Sequence, residues 1–167
     1  KLVRFAVERY DGDGVDDMPG LRNPVKHWQV ENEFVWQWEG TDAEYITFLK
    51  ETSEAIKASD PGANVLASGL TGLAGLAAAD AVGPRDHVVW DRGGKPVKIP
   101  VSEFIKSPQY RDARARIEAL LKDGHPFFDI LDIHSYTDDA DEMAPGMCWL
   151  KDAMRRGIQS GPELERG

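Results

Sequence analysis

The sequence contains very little cysteine. Cys148 is the single cysteine of the 167 residues, so no internal disulfide can form. A zinc site built on several thiolates is excluded for the same reason. A lone thiol suits the cytosol, but secreted enzymes without disulfides are also common, so both compartments stay open.

Long apolar runs and positive charge are also scarce. No run of about 18 apolar residues occurs, so no membrane-spanning segment is expected. The chain has 20 basic and 29 acidic side chains and a formal net charge of −9. Phosphate backbones and anionic lipids repel such a chain, so neither nucleic acid nor a membrane is an expected partner. We expect a neutral or cationic substrate.

Several catalytic and cofactor-binding motifs are missing. No G-x-G-x-x-G or G-x-x-x-x-G-K-[ST] follows a predicted strand, which argues against the doubly wound nucleotide folds, and no cofactor is expected. No serine lies in G-x-S-x-G. The histidines show no ligand-pair spacing such as H-x-x-x-H, which disfavours a zinc or binuclear hydrolase. They are His27, His87, His125 and His134.

Helical and strand patterns alternate along the chain. A helix ends at Asp11, Thr41 and Glu44 form a predicted capping box, and a third helix starts at Pro108. The predicted strands cover residues 25–33, 64–69 and 127–136, a last helix covers about 147–156, and 83–101 is an irregular loop. Such alternation predicts parallel strands joined by right-handed crossovers.

Two α/β architectures fit this alternation, an open doubly wound sheet and a (β/α)8 barrel. The missing phosphate loop favours the barrel. We therefore predict part of a (β/α)8 TIM barrel, roughly helix 3 through strand 6 and its following helix, as a single-domain fragment over residues 1–167. A full barrel needs about 250 residues, and both ends of the chain look cut.

A carboxylate lies at the predicted end of the first strand, in "KHWQVENEFVWQWEG". Glu33 follows Asn32 there, with Trp28, Trp36 and Trp38 close in sequence. A glycosidase needs a carboxylic acid to protonate the leaving oxygen, an amide to hold a hydroxyl and indole faces to stack on sugar. The alternative is a solvated loop glutamate beside core tryptophans.

Glu31 complicates this interpretation. Strand alternation places Gln29, Glu31 and Glu33 on one face. A second carboxylate would make Glu33 harder to ionise, as a general acid requires. Glu31 could equally have its own basic partner, and the sequence does not choose.

Polar groups also end the strand "FFDILDIHSY". His134 and Tyr136 would reach the same barrel mouth and either orient a second carboxylate or bind sugar hydroxyls. A hydrogen-bonded structural histidine is the competing interpretation.

An acidic, glycine-rich loop, "DGDGVDD", precedes the first strand. Asp11, Asp13 and Asp17 could supply oxygen ligands to Ca²⁺, or the loop could be a solvated turn. It is not an EF-hand, since Asp16 and Arg22 occupy the sixth and twelfth positions. No metal site is therefore assigned, and the sequence does not decide whether Asp11, Asp13 and Asp17 bind calcium.

Together, "HWQVENEF", "FFDILDIHSY" and "RYDGDGVDDMPGL" resemble the clan A glycoside hydrolases, including β-xylosidase-like and endoglycanase-like members. The resemblance implies retaining hydrolysis of a β-glycosidic bond in a neutral oligo- or polysaccharide. Glu33 would be the general acid/base and Asn32 would bind the sugar 2-hydroxyl.

The resemblance also assigns the remaining site residues. Trp36 or Trp38 would stack on the sugar, and His134 and Tyr136 would lie near the nucleophile. The nucleophile itself would lie on a seventh strand outside this chain, so the fragment alone is expected to be inactive.

Two rivals remain at this point. A non-catalytic carbohydrate-binding or degenerate barrel would use the same tryptophans without chemistry. A metal-dependent barrel, such as a sugar isomerase, would bind a transition metal through His134. The sugar, the linkage, exo or endo action and the oligomeric state are not determined by the sequence.

Overall fold

The computed structural model describes residues 1–82, 86–91, 95–136 and 140–160. Within these ranges, the side chains at positions 90, 91, 96, 142, 158, 159 and 160 are not described.

The described residues form seven α-helices and five β-strands. The helices are α1 (Leu2–Tyr10), α2 (Phe34–Gln37), α3 (Asp42–Ser59), α4 (Leu73–Ala79), α5 (Val101–Phe104), α6 (Pro108–Ala119) and α7 (Ala140–Ser160). The strands are β1 (His27–Gln29), β2 (Asn64–Leu70), β3 (His87–Asp91), β4 (Pro96–Pro100) and β5 (Ile130–Ile133). A π-helical turn (Leu120–Gly124) and a 3₁₀ turn (His125–Phe127) follow α6.

The strands form two sheets, and the chain divides into two compact units. A parallel sheet has the order β1-β2-β5, and β3 pairs with β4 in an antiparallel hairpin. The first unit comprises Lys1–Gly69 and Gly124–Ile133, and the second Leu70–Asp123 and His134–Gly167. The parallel sheet thus belongs to the first unit, except for the last residue of β2.

Helix α3 begins at the predicted capping box, which is confirmed. The Thr41 hydroxyl accepts the Glu44 N–H, and the Glu44 carboxylate accepts the Thr41 N–H at 2.7 Å. The Thr41 N–H and the Thr41 hydroxyl both donate to the Glu44 carboxylate, and these bonds lower the pKa of Glu44 below its usual value. The helix then buries Tyr45, Leu49 and Ile56, which recur at helical spacing.

The parallel sheet of the first unit is tied to its surroundings by charged side chains. Trp28 of β1 lies opposite Val65 of β2, and Val65 is fully buried. The Asp129 carboxylate accepts the Val65 N–H at 2.8 Å and pairs with Lys57 at 2.7 Å. This carboxylate therefore connects the start of β5, the middle of the sheet and α3.

In the second unit, α4 packs closely on α7. A Cβ on Gly146 of α7 would lie 3.0 Å from the Leu73 Cβ of α4, so the close approach requires a glycine there. Asp80, just after α4, accepts two hydrogen bonds from Arg114, at 2.6 and 3.1 Å, and one from Trp149 at 2.8 Å. This carboxylate joins α4 to α6 and α7.

The predicted barrel segment is wrong. The described residues form a small α/β arrangement with a three-stranded parallel sheet and a separate antiparallel hairpin. Helix–strand alternation is common to many parallel α/β folds, so it does not specify a barrel. Residues 83–101 were expected to form an irregular loop, yet β3 and β4 pair there, with Val88 opposite Ile99.

The predicted element bounds also need correction. The first predicted strand, residues 25–33, contains only the three-residue β1. The last helix starts at Ala140, earlier than predicted, and contains Pro145. Among the described residues, no helix has the length and apolarity needed to cross a membrane.

Candidate functional site

The turn after β1 adopts an unusual backbone. Glu31 and Glu33 have positive φ angles, 68° and 48°, and we name residues Glu31, Asn32 and Glu33 the strand-end turn. A left-handed conformation costs a non-glycine residue about 1–2 kcal/mol. Such strain persists only where the surrounding structure imposes it, and it is concentrated at functional sites.

The residues of the strand-end turn differ in their exposure to solvent. Asn32 is exposed and Glu33 is half-buried. The Glu31 carboxylate accepts the Asn32 N–H at 3.1 Å. Glu31 therefore holds the turn's own backbone, a role that the sequence did not indicate.

The buried hydroxyl groups of Tyr45 and Ser68 bind the backbone on either side of the strand-end turn, and we name these two residues the hydroxyl pair. The Ser68 hydroxyl oxygen accepts the Phe34 N–H at 2.7 Å. The Tyr45 hydroxyl donates to the Val30 carbonyl at 3.3 Å and accepts the Ser68 N–H at 3.3 Å. One pair of side chains thus binds the backbone on both sides of the turn.

The hydroxyl pair is fully enclosed. Tyr45 and Ser68 are each 0% exposed, and the Tyr45 ring stacks on Phe34 at 4.1 Å between ring centroids. Burial raises the pKa of Tyr45 to about 12, and the charge of Glu31 adds to the rise against the opposing hydrogen bonds from Ser68. The hydroxyl consequently stays protonated and able to donate at neutral pH.

The three tryptophans near the turn lie in different environments. Trp36, on α2, is 40% exposed. Trp38 donates its indole N–H to the Thr41 carbonyl at 3.1 Å and packs against Tyr45 and Phe48. The Trp28 indole N–H is buried without a hydrogen-bond partner among the described residues. Trp36 is therefore the most exposed of the three indoles, and Trp38 packs the loop onto α3.

His134 and Tyr136 belong to the second unit, whereas Asn32, Glu33 and Trp36 belong to the first. The His134 N–H donates to the Leu70 carbonyl at 3.0 Å. Tyr136 is 82% exposed. The structure brings Asn32, Glu33, Trp36 and Trp38 together on the β1–α3 connection, and the roles of His134 and Tyr136 stay predictions.

The acidic loop uses its carboxylates to bind its own backbone. Asp17 accepts the N–H groups of Gly12 and Gly14, at 3.0 and 2.8 Å. Asp13 accepts the Val15 N–H at 2.7 Å. Asp13 and Asp17 therefore stabilise the loop through its own backbone N–H groups.

Two of the three candidate calcium ligands, Asp11 and Asp13, lie next to a carboxylate that the sequence did not indicate, Glu8. One carboxylate oxygen of each residue lies within 4.8 Å of the other two. Desolvation, and then the charge of Asp11 and the other loop carboxylates, raises the pKa of Glu8. Sequence analysis missed Glu8 because it precedes the loop, on α1. Its only signal was the three-residue spacing to Asp11.

Comparison of the chain with protein-family models, curated proteins and solved structures finds no match. The resemblance to clan A glycoside hydrolases therefore stays a prediction that rests on the residues quoted for it.

The sequence analysis also missed the hydroxyl pair. The sequence indicated no site role for Tyr45, and Ser68 was only one residue of the predicted strand 64–69. Their bonds to the turn join residues 15 to 34 positions apart, and no local pattern predicts such pairings.

Proposed function

We propose that the strand-end turn is the proton-donating segment of a glycoside hydrolase that cleaves a β-glycosidic bond in a neutral saccharide. Glu33 is the general acid/base, Asn32 binds a sugar hydroxyl, and Trp36 stacks on a sugar ring. The observation that carries the proposal is the left-handed backbone of Glu33 in the turn between β1 and α2.

Glu33 is accessible to a ligand. The residue is half-buried, so part of it can reach a substrate oxygen that a general acid would protonate. Its neighbour Asn32 is exposed, as an amide that binds a substrate hydroxyl must be. The left-handed conformation costs stability, which is consistent with selection for side-chain placement.

The exposed indole supports saccharide binding. Trp36 lies three residues after Glu33 on α2 and is 40% exposed, whereas Trp38 is engaged in packing. An indole face covers the apolar face of a sugar ring, and aromatic side chains supply large contact areas at low entropic cost.

Retaining hydrolysis also needs a nucleophile. The second carboxylate of such enzymes stands about 5–5.5 Å from the acid/base. Its expected place on a seventh strand depended on the barrel, so that placement is not carried over. We assign no nucleophile to this chain, and its proposed share of the reaction is saccharide binding and proton donation.

The second candidate is a non-catalytic carbohydrate-binding protein, which the exposed Trp36 favours as well. It shares the stacking contact and differs in the role of Glu33. In that case Glu33→Gln retains saccharide binding, and no form of the protein hydrolyses a glycoside.

The test is a titration with β-1,4-linked xylose and glucose oligosaccharides, monitored by tryptophan fluorescence. Trp36→Ala is expected to weaken binding at least about tenfold, equal to about 1.4 kcal/mol. Phe5→Ala removes an aromatic side chain that is 68% exposed on α1 and should leave binding unchanged. Failure of the unmodified chain to bind any of these sugars would refute saccharide binding.

Cleavage of an alkyl β-glycoside, whose leaving oxygen must be protonated, then separates the two candidates when azide is added as the external nucleophile, because no nucleophile is assigned to this chain. Turnover that falls in Glu33→Gln but not in Glu39→Gln, an exposed glutamate beyond α2, supports the acid/base role. Binding without any turnover favours the carbohydrate-binding protein.

A further inference from the structure

We propose that Ser68 and Tyr45 are positioning residues that fix the Glu33 carboxyl group in place. This inference rests on the proposed function for its purpose, although the positioning itself is measurable without a saccharide.

The hydroxyl pair binds the backbone where it enters the strand-end turn and where it leaves it. The chain enters at Val30, whose carbonyl accepts the Tyr45 hydroxyl at 3.3 Å. It leaves at Phe34, whose N–H donates to the Ser68 hydroxyl oxygen at 2.7 Å. The two hydroxyl residues are themselves joined, because the Ser68 N–H donates to the Tyr45 hydroxyl at 3.3 Å.

Both residues of the hydroxyl pair belong to regular secondary structure. Tyr45 belongs to α3, which is closed by a capping box at its start, and Ser68 belongs to the interior of β2. Phe34 is 1% exposed and stacks on the Tyr45 ring at an interplanar angle of 11°. A functional group held by such elements is placed more precisely than one held by a loop alone.

The strain in the turn makes these bonds necessary. Glu31 and Glu33 both have left-handed backbones, and each gains about 1–2 kcal/mol on relaxing to an ordinary conformation. If Phe34 loses its acceptor, its buried N–H is left unsatisfied, and the turn can relax to find another. Relaxation would move the Glu33 carboxyl, and active-site groups tolerate displacement of only about 0.5 Å.

The experiment follows the ¹³C NMR titration of the Glu33 side chain in the unmodified chain, Ser68→Ala and Tyr45→Phe. We expect the Glu33 titration midpoint to move by at least about half a pH unit in both variants. A shift of one pH unit needs a change of only about 1.4 kcal/mol in the free energy difference between the protonated and ionised carboxyl group. Ser53→Ala is the control, since Ser53 is also a buried serine, 8% exposed, on α3. It should leave the midpoint unchanged.

The outcomes separate positioning from function. A folded Ser68→Ala with the Glu33 midpoint of the unmodified chain would overturn the proposal, as would an equal shift in Ser53→Ala. A shift confined to the two positioning variants, in a chain that binds no oligosaccharide, would retain the positioning role and refute the proposed function. If Ser68→Ala does not fold, Tyr45→Phe, which keeps the stacked ring, decides alone.

Discussion

Replacing Tyr45 by phenylalanine removes one oxygen atom from the centre of the first unit. The ring is retained, so the stack on Phe34 at 4.1 Å should persist. The Val30 carbonyl loses its donor and the Ser68 N–H loses its acceptor. Since Tyr45 is 0% exposed, water does not replace the hydroxyl without rearrangement.

The expected cost at pH 7 is about 1–3 kcal/mol in the free energy of unfolding, the penalty for leaving buried polar groups without partners. Urea unfolding followed by circular dichroism measures it. If the slope of the unfolding free energy against urea concentration is unchanged, the substitution has lowered stability without altering the compactness of the folded or unfolded state.

The same substitution predicts a specific pH dependence. Burial raises the pKa of Tyr45 to about 12 in the folded chain, whereas an unfolded tyrosine titrates near about 10. Because the folded pKa is the higher one, the stabilisation is complete below about pH 10 and is lost as the pH rises toward 12.

The stability advantage of the unmodified chain over Tyr45→Phe should therefore shrink between about pH 10 and 12. Taking the difference cancels the titration of other alkaline groups, which both proteins share. A difference that stays constant from pH 9 to 12 would refute the argument, since it would mean that the Tyr45 hydroxyl is not protected from ionisation.

Three further changes test other parts of the structure by urea or thermal unfolding. Glu33→Gly should raise the free energy of unfolding by about 0.5–1 kcal/mol because it relieves the left-handed strain. The control Glu51→Gly, in the middle of α3, should lower the free energy of unfolding by about 1 kcal/mol. If both variants are less stable than the unmodified chain, Glu33 is not strained. Asp17→Ala should cost about 1 kcal/mol, since two backbone N–H groups lose their acceptor, and no loss would show that water replaces the carboxylate. Asp80→Ala should cost about 2 kcal/mol at pH 7. The Arg114 hydrogen bond lowers the pKa of Asp80, so this stabilisation is present above about pH 4 and lost as the pH falls through the folded pKa. A stability difference that does not narrow as the pH falls below about 4 would contradict it.

Local chemistry made part of the fold predictable. The capping box at Thr41 and the start of α6 at Pro108 follow from a few neighbouring residues, and both are confirmed. The strands β3 and β4 were not predicted, because short strands flanked by glycine and proline residues have the sequence pattern of a loop. The barrel was inferred from alternation, which does not fix how many strands pair or whether all of them are parallel.

The candidate site was predictable to a similar extent. The pattern placed Asn32 and Glu33 on the last residues of a strand, whereas β1 ends at Gln29 and the two residues lie in the turn before α2. It gave no sign of the left-handed backbone, because glutamate is not a residue that favours it. The supporting hydroxyl groups of Tyr45 and Ser68 come from other elements, so only the folded chain shows that they hold the turn.

The most direct test of the account is the affinity of the unmodified chain and of Trp36→Ala for β-1,4-linked oligosaccharides, measured side by side. The account predicts saturable binding to at least one of the xylose or glucose series, weakened at least about tenfold in Trp36→Ala. Absence of binding, or equal affinity in the two proteins, would contradict the claim that the strand-end turn and Trp36 form a saccharide site.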